Sequence, residues 1–160
     1  VSGADEDTDR CYATAMRILN VRWNSAAELR RKLKTKQFDE ATIAATLARL
    51  ASEKWLDDER FAESFVRSRT RRRHGPLRIR RELGAAGVDD EIVDRVVSAH
   101  RDVDTERATL TALAQKKLAS LQRREADADR LRQKLSAYLA RQGFETSLVI
   151  DVVRELVRES

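Results

Sequence analysis

Apolar residues recur along this chain in one broken spacing, three times over. Leu29, Leu33, Phe38, Ile43, Leu47 and Leu50 are separated by steps of 4, 5, 5, 4 and 3. The same steps lead through Ile79, Leu83, Val88, Val93, Val97 and His100, and again through Leu135, Leu139, Phe144, Val149, Val153 and Leu156. Steps of three and four keep side chains on one helix face, whereas two successive steps of five must cross a loop. Helical period alone produces partial matches. It does not produce the crossing, with a glycine just before Val88 and Phe144. The pattern predicts three units, each helix, helix, short loop, helix. Leu29 to Ile79 spans 50 residues and Ile79 to Leu135 spans 56, so the third unit is longer. The surplus is assigned to its first helix and to the charged stretch Gln122–Arg132.

Cap and breaker residues fit that division. First helices are predicted at about Asp9–Trp23, Asp58–Arg72 and Thr105–Arg124. Second helices end before Gln37, Gly87 and Gly143, and third helices follow Asp39, Asp89 and Thr146. Ser25 and Glu28 have capping-box spacing, and Asp39 is a cap as well. Asp57 and Asp58 open the next helix, whose apolar face carries Phe61, Ala62, Phe65 and Val66. Gly75-Pro76 stops that helix and starts another with proline at its first position, and Gly87 supplies a left-handed end. No segment alternates with period two over a strand's length. The chain reads as all-α: three tandem three-helix repeats stacked into an elongated, curved array. Residues 1–10, with Asp5, Glu6, Asp7 and Asp9, read as a disordered acidic tail. The repeats then fall at 11–56, 57–103 and 104–160, with Trp55 and Leu56 as anchors between the first two.

Composition removes several classes of function. Of the 160 residues 37% are charged and only 5% aromatic, which suits helices with broad solvated faces. Cys11 is the only cysteine, so an intrachain disulfide is impossible and a structural zinc site lacks thiols; a small buried residue is expected there. His74 and His100 are the only histidines, and neither has a partner at metal-ligand or triad spacing. His100 holds a core position of the repeat, and His74 lies in an arginine-rich turn facing solvent or phosphate. No glycine-rich phosphate loop is present. The chain is therefore expected not to be an enzyme and to hold no cofactor or metal. No apolar run is long enough for a bilayer and no signal-like segment opens the sequence, so a cytoplasmic location is expected.

Charge points towards a polyanion. The formal net charge is +5 despite 27 acidic residues, so the excess must be local. Eight arginines and no acid lie between Arg67 and Arg81. With Phe61 set at zero on a helical wheel, Phe65 falls at about 40° and Arg69 at about 80°, inside the apolar face. Arg67 and Arg71 fall at roughly 240° and 280°, pointing away from it. Arg69 is thus expected to pack its stem and pair its guanidinium. Ile79 and Leu83 define the inner face of the next helix, leaving Arg78 and Arg81 outward. Arg67, Arg71, Arg72, Arg78 and Arg81 are the candidate ligand surface.

Asp57, Asp58, Phe61, Ala62, Phe65, Arg69, Gly75, Ile79, Leu83, Gly87 and Val88 together resemble the signature of the RecX family. Leu19, Arg22, Ser25, Glu28, Leu29 and Leu33 are similar to that family's L-x-x-R-x-x-S-x-x-E-L-x-x-x-L pattern. The likeness is strong from about Tyr12 to His100. Gln37 departs from it, standing where the family usually has glycine, which implies a differently capped helix end. The resemblance implies a regulator of the RecA recombinase. It would bind in the groove of the RecA–DNA filament and suppress ATP hydrolysis, strand exchange and coprotease activity. The implied partners are that filament and single- and double-stranded DNA without sequence preference, with no membrane and a monomeric state. Two other classes remain open, a helix-turn-helix-like general DNA-binding protein and a purely helical protein-interaction scaffold. The third helices open on Asp39, on Asp89-Asp90-Glu91 and on Thr146, and acids at that end would repel phosphate from a reading helix.

Overall fold

The computed structural model describes residues 2–158. Among them are nine α-helices and no strand: α1 (Ser2–Leu19), α2 (Ala26–Thr35), α3 (Glu40–Ser52), α4 (Asp58–Arg71), α5 (Pro76–Ala85), α6 (Asp90–Ala99), α7 (Val103–Gln122), α8 (Ala128–Arg141) and α9 (Thr146–Arg158). They form three three-helix repeats in tandem. The chain divides into two compact units. One holds the residues up to Phe65 together with Glu82–Val96; the other holds Val66–Arg81 and the chain from Val97 onward. Helices α4, α5 and α6 therefore contribute residues to both.

In the first unit α1, α2 and α3 close around Cys11, Ala15, Leu29, Leu33, Ile43, Leu50 and Leu56. Burial pushes the Cys11 thiol above its ordinary pKa, as expected of a packed, inert cysteine. In the second unit α7, α8 and α9 close around Leu110, Leu118, Leu131, Leu135, Leu139, Phe144, Val149 and Val153. The repeating apolar positions are the buried ones, apart from half-buried Phe38, Leu47 and Leu156 and exposed His100. His100 is exposed, because α6 ends at Ala99 and its N–H already donates to Val97 in a turn. Phe38 is half-buried, with the Arg10 guanidinium 5.5 Å from its ring centroid. Thr46 is fully buried, at the position where Val96 and Val152 stand in the other repeats.

The surplus length of the third repeat lies in α7, of 20 residues against 14 in α4, and in α8, of 14 against 10 in α5. The expected acidic tail is instead helical from Ser2; Val1, and residues 159–160 at the other end, lie outside the described residues. Asp5, Glu6 and Asp7 sit near the positive end of the α1 dipole, and Asp7 pairs with Arg10 at 2.9 Å. That local compensation replaces the buried face the segment lacks. Helix α1 also stops at Leu19, four residues early, because buried Asn24 builds a turn: its amide donates to the Arg22 carbonyl at 2.8 Å and accepts from Lys32 at 2.7 Å. Trp55 is 51% exposed, so only Leu56 is buried at that junction.

Caps follow the sequence with one crossing. The Ser25 hydroxyl accepts from the Glu28 N–H at 3.0 Å, while the Glu28 carboxylate pairs with Arg22 at 3.2 Å. Asp57 accepts from the N–H groups of Glu59 and Arg60. Asp58, expected to cap its own helix, accepts from the Ala26 N–H at 2.8 Å and so caps α2. Helix ends are closed by left-handed residues: Gly87 (φ 78) and Gly143 (φ 91), and equally Gln37 (φ 67), Lys54 (φ 63) and Arg73 (φ 61). Gln37 thus ends α2 the way glycine would, with the Phe38 N–H bonded back to Leu33 as that of Val88 is to Leu83.

Each unit contains the same joint. In the first, the Ser25 hydroxyl donates to the Ala86 carbonyl at 2.5 Å, and a Cβ on Gly87 would lie 2.4 Å from the Ala27 Cβ. In the second, the Gly75 and Leu77 N–H groups donate to the carbonyls of Gln142 and Gly143 at 2.7 and 2.9 Å. A Cβ on Gly143 would lie 2.3 Å from the Arg78 Cβ, and one on Gly75 2.3 Å from the Gly143 carbonyl oxygen. The loop after each later second helix therefore docks on the start of an earlier one.

Gly143→Ala combines left-handed strain with this clash and should cost about 2–3 kcal/mol. Gly84→Ala, inside α5 with nothing within 4 Å of its added Cβ, should stabilise by about 0.5–1 kcal/mol. Chemical denaturation of both variants tests the joint; equal effects would remove its significance.

Acid should weaken specific caps. Hydrogen bonds from the Thr42 N–H and hydroxyl hold the Asp39 carboxyl below its ordinary value, and those from the Thr105 hydroxyl and N–H do the same for Asp102. A depressed carboxylate pKa contributes stability above the unfolded value, and that stability is lost as pH falls through the folded value. Melting temperature should therefore drop on acidification through and below the usual carboxylate range. In the Asp39→Asn, Asp102→Asn double variant the drop should be smaller, though not abolished, since Glu53 and Glu125 are also depressed, by Tyr12 and Lys134 respectively.

Candidate nucleic-acid interface

The arginine-rich segment lies wholly within the second unit. Helix α4 carries Arg67, Arg69 and Arg71 as far as its end, where the His74 N–H bonds back to the Arg69 carbonyl and Arg73 takes the left-handed conformation. Pro76 then begins α5, which carries Arg78, Arg80 and Arg81. Arg67, Arg71, Arg72, Arg73 and Arg81 are exposed, whereas Arg69, Arg78 and Arg80 are half-buried.

The wheel thus separates Arg69 from Arg67 and Arg71, but Arg78 is not the outward residue expected. Its Cβ backs onto Gly143, and its Nη1 donates to the Gln142 side-chain oxygen at 3.5 Å. Arg78 packs against the joint, a contact with residues more than sixty positions away that helical phase cannot reveal. Arg80 donates to the Ser98 hydroxyl at 3.3 Å, tying α5 to α6.

The exposed arginines of this segment differ from Arg95, Arg101 and Arg107 in having no carboxylate partner. Arg95 pairs with Glu59 at 3.0 Å, Arg101 with Glu106 at 2.9 Å and Glu145 at 3.1 Å, and Arg107 with Glu155 at 2.6 Å. Among the described residues, no carboxylate lies within ion-pair distance of Arg67, Arg71, Arg72, Arg73 or Arg81. Their charge remains for an external anion.

Two lysines that the sequence does not single out lie beside one of these, Arg73. Arg73, Leu113, Lys116, Lys117, Ser120 and Tyr138 line one open groove of ≈ 540 Å³, and the Lys117 ammonium lies 4.9 Å from the Tyr138 ring centroid. An adjacent Lys-Lys pair on α7 is the only sequence signal for this contribution. A strip of cations over a partly apolar floor can hold a phosphate backbone while offering the ring edge to a sugar or base.

His74 is half-buried rather than turned to solvent. Both histidines line a small cavity of ≈ 60 Å³ with Val66, Ile79, Asp102, Glu106 and Phe144. That volume suits a few water molecules, not a substrate. No group of three or more His, Cys, Asp or Glu among the described residues could hold a metal ion, and no helix is long and apolar enough to cross a membrane.

The fold and this surface define a class: an all-α protein of tandem three-helix repeats with a basic face. Sequence models of one family match all three repeats: the first three-helix domain of RecX at residues 11–50, the second at 57–97 and the third at 104–153. The chain belongs to the RecX family. It is 35% identical over 156 residues to a protein of Chlorobium phaeobacteroides (strain BS1) named Regulatory protein RecX, covering 97% of this chain and 99% of that one. A protein of the same name from Mycobacterium sp. (strain KMS) is also 35% identical, covering 95% and 87%. The crystal structure of RecX from Lactobacillus salivarius shares the fold with a TM-score of 0.81 at 24% identity, over 95% of this chain and 97% of that one.

The surface separates into two kinds of arginine that mutation can distinguish. Arg69→Ala and Arg78→Ala should each destabilise by about 1–2 kcal/mol through lost packing and polar contacts. Arg67→Ala with Arg71→Ala should change stability by less than about 0.5 kcal/mol. Thermal melts that reverse this order would overturn the assignment of faces.

Proposed function

We propose that this protein regulates the RecA recombinase, binding in the groove of the RecA–DNA filament and suppressing its ATP hydrolysis, strand exchange and coprotease function. The observation that carries the reading is the set of five exposed arginines without carboxylate partners, extended by Lys116 and Lys117. Family membership and the regulatory name of the relatives support it. On this reading Arg67, Arg71, Arg72, Arg73 and Arg81 contact phosphates, adding affinity without reading sequence. Arg78 acts from beneath by holding the joint. The remaining affinity comes from protein contacts with the filament, which make the bound state specific for the recombinase. A location in the cytoplasm, where such filaments form, and a monomeric state belong to the same proposal.

Salt dependence tests this directly. If about four arginines reach duplex phosphates, the log–log slope of binding to bare DNA should be near −3.6, and about −2.8 for a single strand. Binding to the filament should be tighter and less steep, because protein contacts release fewer counterions. Replacing Arg67, Arg71, Arg72 and Arg73 with Ala should flatten the bare-DNA slope and reduce inhibition of filament ATP hydrolysis, leaving the melting temperature nearly unchanged. Equal affinity for filament and bare DNA would instead favour a general DNA-binding module.

A further inference from the structure

The first unit carries a groove between the end of α1 and α2 whose chemistry differs from that of the arginine surface. Two hollows of ≈ 380 and ≈ 580 Å³ share Ile18, Val21 and Lys36, so they form one continuous depression. Its floor is apolar: Ile18 and Val21 run through both hollows, and Phe38 closes one of them. Val21 is 84% exposed, and with Ile18, which shares both hollows, it forms a contiguous apolar patch.

Every charged residue along the rim is basic. Two of the five are already occupied, Arg10 by Asp7 at 2.9 Å and Arg22 by Glu28 at 3.2 Å. Arg17, Lys32 and Lys36 have no carboxylate within ion-pair distance among the described residues. Lys32 is held in place by donating to Asn24 at 2.7 Å. Arg17 and Lys36 stand at the ends of α1 and α2, where they also offset the negative helix termini. Each terminus amounts to roughly half a charge, so about two of the three positive charges remain for a ligand.

We propose that this groove binds an acidic peptide segment of a partner protein, one that carries apolar side chains a helical turn apart. Carboxylates of such a segment meet Arg17, Lys32 and Lys36, while its apolar side chains cover Ile18 and Val21. The two features select together. A nucleic-acid strand would satisfy the cations but leave Val21 against charged backbone. An anionic membrane is flat and cannot enter a concavity to reach Ile18. A peptide with one apolar ridge and acidic flanks satisfies both, the groove-and-ridge geometry by which helical segments are commonly held. Charge sets orientation and rate of encounter, and the buried apolar contact sets residence. The proposal is independent of the nucleic-acid reading, because the groove belongs to the first unit and the arginine surface to the second.

Fluorescence anisotropy with a labelled synthetic peptide, rich in Asp and Glu and carrying Leu and Phe one helical turn apart, tests it. Binding to the intact chain is expected to weaken about tenfold in Val21→Ser, and similarly in Arg17→Ala with Lys36→Ala. The same peptide with Leu and Phe replaced by Ser should bind about tenfold more weakly. Arg67→Ala with Arg71→Ala should leave peptide binding unchanged, which separates this site from the arginine surface. Thermal melts confirm that the variants fold, as Val21 and Lys36 are exposed. The proposal is overturned if the Ser-substituted peptide binds equally well, or if the groove variants bind as the unaltered chain does. It is overturned equally if a single-stranded oligonucleotide or phosphatidylserine vesicles displace the peptide and lose affinity in the same variants, or if the groove is found to pair two copies of this chain.

Discussion

The start of α5 is satisfied by backbone from another repeat, and much of the second unit depends on that contact. A helix leaves its first N–H groups without partners, and side-chain caps are the usual remedy. Here Gly75 and Leu77 donate straight to the carbonyls of Gln142 and Gly143 at 2.7 and 2.9 Å. Backbones can come that close only where no Cβ intervenes, which demands glycine at 75 and 143. The contact fixes where α5 begins, and hence how sharply the chain turns after Arg73. It therefore also sets the positions of Arg71, Arg72 and Arg73. The basic surface rests on a joint made by uncharged backbone, with Arg78 packed against it.

At the corresponding place in the first unit the same need is met differently. Ser25 and Asp58 occupy the start of α2, one donating to Ala86 and the other accepting from Ala26. Side chains do there what bare backbone does at Gly75, and the approach is correspondingly relaxed at Ser25, where a Cβ is accommodated. Gly87 still abuts Ala27. One architecture thus tolerates two solutions to the same polar requirement, provided that each orphan donor or acceptor is met.

What the sequence shows of this fold is whatever depends on neighbours within a turn or two. The stripes of Leu29 and Leu33, Ile79 and Leu83, and Leu135 and Leu139 are legible because helical period is local, and all six are buried. Caps at Ser25, Asp39 and Asp57 are legible for the same reason. Features set by distant partners are not. Asp58 looks like the cap of α4 and serves α2; Arg78 looks outward and lies against Gly143. The segment before Cys11 lacks an apolar face and is nonetheless helical, through dipole compensation and a pair with Arg10. Gln37 shows the limit of residue preference, since it holds φ 67 without being glycine. In the candidate site, the exposure of Arg67 and Arg71 follows from helical phase, whereas Arg72, which phase alone would turn inward, is exposed because α4 ends at Arg71. The addition of Lys116 and Lys117, about forty residues further on, follows only from the fold.

The three repeats keep a common interior and diverge outside, and that divergence is where function must be sought. The large buried side chains of the three repeats are mostly Leu, Ile, Val and Phe, so the cores alone give little reason for the repeats to differ. Their surfaces do differ, in how charge is disposed. Arg107 of the third repeat and Arg101, just before it, are matched by Glu106, Glu145 and Glu155, and in the first repeat Arg22 and Arg49 by Glu28 and Glu53. Exposed pairs of this kind contribute little stability, but they do cancel field. Among the described residues, Arg67, Arg71, Arg72 and Arg73, and Arg17, Lys32 and Lys36 near Val21, are cations for which no such cancellation is made. Leaving like charges together carries a repulsive cost that nothing in the fold repays, and an external anion removes that cost on binding. The two patches differ in what lies beside the charge, a lysine-lined strip in one and an exposed valine in the other. That difference argues for two ligands of different chemistry, held by repeats whose shared interior serves only to present them.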